Sequence, residues 1–129
     1  EGFTPIRKRF SEGWQSWGEK LVLPQSTQRM TQEAQLSATV LKLHEDKSYP
    51  GAVVASLSIP WGNSHDDLGG YHLVWARDAV EAGLGLLAAG QIDDAKRMLS
   101  YLIATQQADG HWTQNFYPDG HPFWTGIQL

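Results

Sequence analysis

An all-α fold built from helical hairpins is what this sequence predicts, and three observations predict it. Residues 78 to 89, "DAVEAGLGLLAA", are apolar nearly all round, as a helix enclosed by other helices must be. Residues 92 to 107, "IDDAKRMLSYLIATQQ", carry Asp93, Asp94, Lys96 and Arg97 on one side and Met98, Leu99, Leu102 and Ile103 on the other, and Gly90 separates the two segments. The approaches to this inner helix and to the apolar run that closes the sequence are both long and rich in Gly, Asp and aromatic residues. Repetition of an inner helix, a tight glycine turn and an outer helix builds a toroid whose inner helices line the axis. The long loops that enter the inner helices then share one rim.

Taken in order, residues 1 to 24 hold "GWQSWG" among Lys and Arg and read as an irregular, partly extended lead-in. From Ser26 to Glu45, Met30, Ala34 and Leu41 and the set Leu36, Val40 and Leu43 recur at helical spacing, with Ser26 as the expected N-cap. Tyr49-Pro50-Gly51 ends that helix, and "AVVASLSI" is a short β-branched run suited to a buried strand or extended segment. A polar loop, "PWGNSHDDLGG", precedes the inner helix. Beyond Gly110 a second loop, "HWTQNFYPDGHPFW", contains turn chemistry at Pro118-Asp119-Gly120, and "TGIQL" reads as the start of a further inner helix. The chain lacks an initial Met and stops inside that run, so it is expected to be a piece of a longer one, spanning 1–24 as lead-in and 25–129 as the first helices and loops. A ring of so few helices would leave several apolar faces in water.

Composition narrows the function. A net charge of −4 and scattered Lys and Arg give no surface for a phosphate backbone, which argues against nucleic acid. No window has the roughly 18 to 20 apolar residues of a membrane helix, and without cysteine there is neither a disulfide framework nor a thiolate zinc site. The histidines and acids of "HDD", His72, His111 and His121 fit no metal-ligand spacing, and no nucleotide-binding glycine motif is present, so neither metal nor cofactor is expected. Six tryptophans, five of them beside Gly or polar residues, suit sugar binding, because an indole face packs on the C–H face of a pyranose while polar neighbours bond its hydroxyls. Arg77-Asp78 opens the inner helix. On composition alone it is either a helix-start charge pair or half of a polar-ligand site.

The segments "YPGAVVASLSIPWG", "GGYHLVWARDAV", "YLIATQQADGHWTQNFYPDG" and "FWTGIQL", in this order and spacing, resemble the bacterial glucoamylase and glucodextranase group of family 15 glycoside hydrolases. The likeness runs from about Leu41 to the end. Trp75-Ala76-Arg77-Asp78 stands where the family usually has Trp-Pro-Arg-Asp or Trp-Thr-Arg-Asp, a departure between the functional side chains. The resemblance implies an (α/α)6 toroid, an α-glucan or α-glucoside substrate, and inverting, exo-acting hydrolysis that releases β-glucose from non-reducing ends. It implies that Arg77 and Asp78 hold the 4- and 6-hydroxyls of the terminal glucose, with Gln114 as an amide hydrogen-bonder and Trp124 as an apolar wall. An inverting glycosidase also needs an acid and a base roughly 6.5 to 9.5 Å apart. In the family both are glutamates further toward the C-terminus, and Glu1, Glu12, Glu19, Glu33, Glu45 and Glu81 match neither. The chain is therefore expected to carry the sugar-holding half of a site, to need the remainder of its catalytic domain as partner, and to be inactive alone. A trehalase of the same family and a non-catalytic glucan-associated relative are the alternatives.

Overall fold

The centre of the molecule is an antiparallel hairpin of α3 (Ala76–Ala88) and α4 (Ile92–Thr105), seen in a computed structural model that describes residues 2–58 and 71–123. The expected pair at 78–89 and 92–107 is thus present with small shifts at its ends. Gly90 makes the turn at φ +79°, donating to Leu87 O while Gln91 donates to Leu86 O. These are the two bonds that a left-handed residue after a helix allows. A side chain at Gly90 would also strike Val22, whose own amide bonds Ala89 O across the turn.

The face of α4 that meets the protein differs from the expected one. Asp94, Met98, Tyr101 and Leu102 are buried, whereas Leu99 and Ile103 are exposed. The charge pattern predicts Asp94 on the solvent side, but Trp17 and Lys42, far away in sequence, turn it inward. Leu99, with Val80, Leu84 and Leu87 of α3, lines an apolar groove of about 330 Å³ along the hairpin, and these side chains are exposed, as is Ile103.

Before the hairpin come α1 (Phe3–Gly18) and α2 (Gln28–Leu43). The first corrects the expectation of an irregular lead-in over 1–24. Phe3, Ile6, Phe10, Trp14 and Trp17 recur at steps of three and four and form one stripe. The stripe is held together by edge-to-face contacts of Phe10 with Trp14 and Trp14 with Trp17, at 6.4 and 5.6 Å between ring centres. No residue of α1 is fully buried, however. In α2 the cap is Thr27 rather than Ser26: Thr27 Oγ1 accepts from Met30 N at 3.3 Å, while the Ser26 hydroxyl points to the Met30 sulfur.

The β-branched run forms isolated bridges rather than a full strand, Glu45 with Val53 and Val54 with Val74. Next to it β1 (Val74–Trp75) and β2 (Asn115–Phe116) pair antiparallel, Val74 opposite Phe116 and Trp75 opposite Asn115. Ala52, Val74, Ala79, Tyr101, Leu102 and Phe116 pack into one core under this patch, and Val53, Ala82, Leu86 and Met98 form a second between the helices. The turn at 118–120 is present, closed by Gly120 N to Tyr117 O at 2.8 Å. The loop 60–70, Trp124 and "TGIQL" lie outside the described residues.

Candidate functional site

Strand β1 runs straight into α3. Trp75 is the cap residue in extended conformation (φ −110°, ψ 123°), and Arg77 and Asp78 follow within the first turn. The ladder to β2 fixes where that helix begins, so the pair is held by backbone bonds on the strand side and by buried Ala79 and Ala82 on the helix side. Arg77 donates from its terminal nitrogen to Asp78 Oδ2 at 3.1 Å, and its guanidinium lies 6.0 Å from the Trp75 ring centre, within reach of the ring's negative face. A carboxylate here is favoured by the helix dipole. The side chains remain 77% and 40% exposed, so most of their hydrogen-bonding capacity faces outward.

They face a cleft of about 350 Å³ between α2 and α3. Its lining combines apolar side chains, Val40, Val53, Ala55 and Ala82, with the polar His44, Arg77, Asp78 and Glu81. Apolar surface and a few polar groups in one cleft suit a ring with C–H faces and hydroxyl edges. Of the residues singled out in the sequence, Arg77 and Asp78 line this cleft. Gln114 does not, but it is exposed one residue before the Trp75–Asn115 pair, at the end of the molecule where α3 starts. Trp124 lies outside the described residues. Trp112 donates its indole N–H to Leu102 O at 2.8 Å and so anchors the loop to α4. Sequence reasoning missed two cleft residues. Glu81 had a signal, one helical turn beyond Asp78 on the same face. His44 had none, because it arrives from the end of another helix.

A second charged cluster uses none of the side chains that line the cleft. Glu45 accepts from Arg97 at 2.8 and 3.1 Å, from Gly51 N at 2.9 Å, and from Lys42. Asp94 accepts from the Trp17 indole at 2.6 Å, from Lys42 at 3.1 Å, and from Arg97. Burial pushes both carboxyls up, but the bonds outweigh it: those from Arg97, Lys42 and Gly51 hold Glu45 below its usual range, and those from Trp17, Arg97 and Lys42 do the same for Asp94. Two cations and two anions thus tie α1, α2 and α4 together. Among the described residues no cluster of three or more His, Asp or Glu is arranged to hold a metal ion, and the acids of "HDD" lie outside them.

Comparison with known proteins gives a consistent set of matches. The family described as glycosyl hydrolases family 15 matches residues 29–111. A glucoamylase of a Clostridium species is 48% identical over 95 residues, covering 72% of this chain and 14% of that protein. An uncharacterised glycosyl hydrolase of Methanocaldococcus jannaschii is 33% identical over 78 residues, covering 60% of this chain and 11% of that protein. Among solved structures, a bacterial glucoamylase complexed with acarbose superposes with a TM-score of 0.78 at 35% identity, over 98% of this chain and 19% of that one. The chain spans less than a fifth of the length of each relative. Its helices are part of an (α/α)6 toroid, the glucoamylase fold.

Proposed function

Because this chain belongs to glycosyl hydrolase family 15, we propose that it supplies the glucose-holding part of an exo-acting, inverting α-glucoside hydrolase of the glucoamylase or glucodextranase kind. In this reading residues 1–129 are the first portion of the catalytic domain, and the rest of that domain contributes the acid and base. The observation that carries the proposal is the Arg77–Asp78 pair, fixed at the head of α3 yet open to the cleft. Asp78 accepts hydrogen bonds from two hydroxyls of the terminal glucose. Arg77 donates to a neighbouring ring substituent, and charge-assisted bonds of this type are stronger than neutral ones. Gln114 and Trp124 complete the grip, as an amide donor and acceptor and as a flat apolar wall.

Glu45 is a poor candidate for the missing general acid, and the reason is physical. A general acid needs a raised pKa, whereas its partners hold Glu45 low and occupy its oxygens. This agrees with a chain that binds the sugar but leaves the proton transfers to residues elsewhere.

The test is Asp78→Asn in the full-length enzyme. The shape is kept and the charge removed, and if these bonds tighten as the ring flattens, turnover falls along with affinity. A bond to a charged partner contributes about 1.5–3 kcal/mol, so kcat/KM on maltose should fall about tenfold to a few hundredfold with folding intact. Wild type should also lose activity on a substrate lacking its terminal 4-hydroxyl, while the variant loses little further. Equal discrimination by both proteins would make Asp78 a helix-start residue only.

A further inference from the structure

We infer that His44 is a further sugar-contacting residue of this cleft, reading a glucosyl hydroxyl through Nε2; the inference rests on the cleft being a glucosyl pocket. Three observations support it. His44 lines the same cleft as Arg77, Asp78 and Glu81. Its Nδ1 lies 2.7 Å from Val40 O. A carbonyl oxygen only accepts, so Nδ1 carries the hydrogen, and in the neutral ring Nε2 is then an acceptor. The hydrogen bond also pins the ring's direction, as a selective contact requires.

The backbone beneath the ring is tied to the sugar-holding pair as well. His44 O accepts from Val54 N at 3.1 Å, Val54 bridges Val74, and Val74 begins the strand that delivers Arg77 and Asp78. On its other side, Glu45 is fastened by Arg97 and by Gly51 N. His44 is thus held in register with Asp78 although 34 positions separate them in sequence. The charged groups around the cleft edge are Arg77, Asp78 and Glu81, all on α3. A hydroxyl between the two helices would meet an acceptor from each side, so His44 extends the reading from one hydroxyl edge of the ring toward the next.

The structural and binding roles of the ring use different nitrogens, which makes them separable. In His44→Asn the side-chain amide can still donate to Val40 O, but nothing stands at the Nε2 position. In His44→Gln the amide reaches further and restores an oxygen or nitrogen there. The experiment uses the full-length protein, with acarbose as the bound probe and maltose as the substrate. Loss of a neutral hydrogen bond predicts acarbose binding about three- to tenfold weaker in His44→Asn, with a matching rise in KM and a melting temperature close to wild type. His44→Gln should recover part of the affinity. Acarbose binding by His44→Asn at wild-type strength, in an enzyme that hydrolyses maltose, would overturn the role of His44 alone. Failure of wild type both to bind acarbose and to hydrolyse maltose would overturn the glucosyl reading and His44 with it.

Discussion

Two arginine–carboxylate groupings in this molecule use the same chemistry toward opposite ends. Arg97 is one of two cations surrounding Glu45 and Asp94, and the Asp94 side chain is only 7% exposed. Every carboxylate oxygen in that cluster has a partner: Arg97 and Gly51 on one Glu45 oxygen, Arg97 and Lys42 on the other, with Trp17 completing Asp94. Arg77 and Asp78 meet through one bond at 3.1 Å, and the remainder of both groups faces the cleft. A saturated ion cluster has nothing left to offer a ligand, so it holds structure. An under-used one, fixed in direction, is what a ligand can complete.

The largest effect should come from breaking the saturated cluster. Asp94→Ala leaves Lys42 and Arg97 facing each other's charge and the Trp17 N–H without its acceptor. Removing one partner of a buried pair costs about 3–5 kcal/mol, and the partial exposure of Arg97 favours the lower end. Calorimetry on the full-length protein should show a clear fall in melting temperature of the catalytic domain, with kcat/KM of the folded enzyme close to wild type. The opposite result, intact melting with lost activity, would reverse the roles assigned to the two groupings.

Arg77→Lys probes the other side of the comparison and should reverse the pattern. One ammonium cannot reproduce a planar, two-pronged donor stacked near Trp75. We expect kcat/KM to fall about tenfold or more while stability changes by less than about 0.5 kcal/mol, as for other exposed positions. A melting temperature that falls as far as in Asp94→Ala would show that the pair serves the fold.

The two groupings also differed in how legible they were. Arg77-Asp78 is adjacent in sequence and opens a helix, so its place was readable, as were α3, α4 and the Gly90 turn, which depend on local period and on one residue's tolerance of positive φ. The charged cluster was not readable. Its members come from positions 17, 42, 45, 94 and 97, and Asp94 turns inward only because Trp17 and Lys42 arrive from other helices. Helical period alone put Leu99 and Ile103 inside in its place. The miss at α1 was of another kind. The spacing of Phe3, Ile6, Phe10, Trp14 and Trp17 is helical, but Gly13 and Gly18 beside tryptophans suggested irregular chain. His44 could not be assigned to the cleft without the bridge through Val54.

Acid should dissolve the same difference reversibly. Glu45 and Asp94 have folded pKa values below their ordinary ones, so the stability they contribute is present above the unfolded values, about 4, and is lost as pH falls through the folded values. Melting temperature followed downward from pH 6 should therefore decline below about pH 4.5, by less than in Asp94→Ala at neutral pH because protonation is partial. Asp94→Asn should flatten that decline. If wild type and Asp94→Asn fall in parallel through this window, carboxylates other than Asp94 govern the acid response.

The smallest effect should come from a third pair that has neither burial nor a cleft. On α2, Arg29 Nε meets Glu33 Oε1 at 2.8 Å across one helical turn, a better contact by distance than Arg77–Asp78, with side chains 87% and 59% exposed. Exposed pairs at this spacing contribute only about 0.3–0.5 kcal/mol, because water screens the attraction and two long side chains lose freedom in making it. Arg29→Gln should therefore shift stability by no more than about 0.5 kcal/mol. It should leave kcat/KM unchanged, since neither residue lines the cleft. High salt should erase even that small difference. Distance would then have no power to sort the three pairs, while saturation and position would sort all of them. A loss above about 1 kcal/mol, or a fall in activity on maltose, would show that the α2 surface takes part in the site or in a further contact of the catalytic domain, and the proposed division between structural and sugar-holding charges would have to be redrawn to include it.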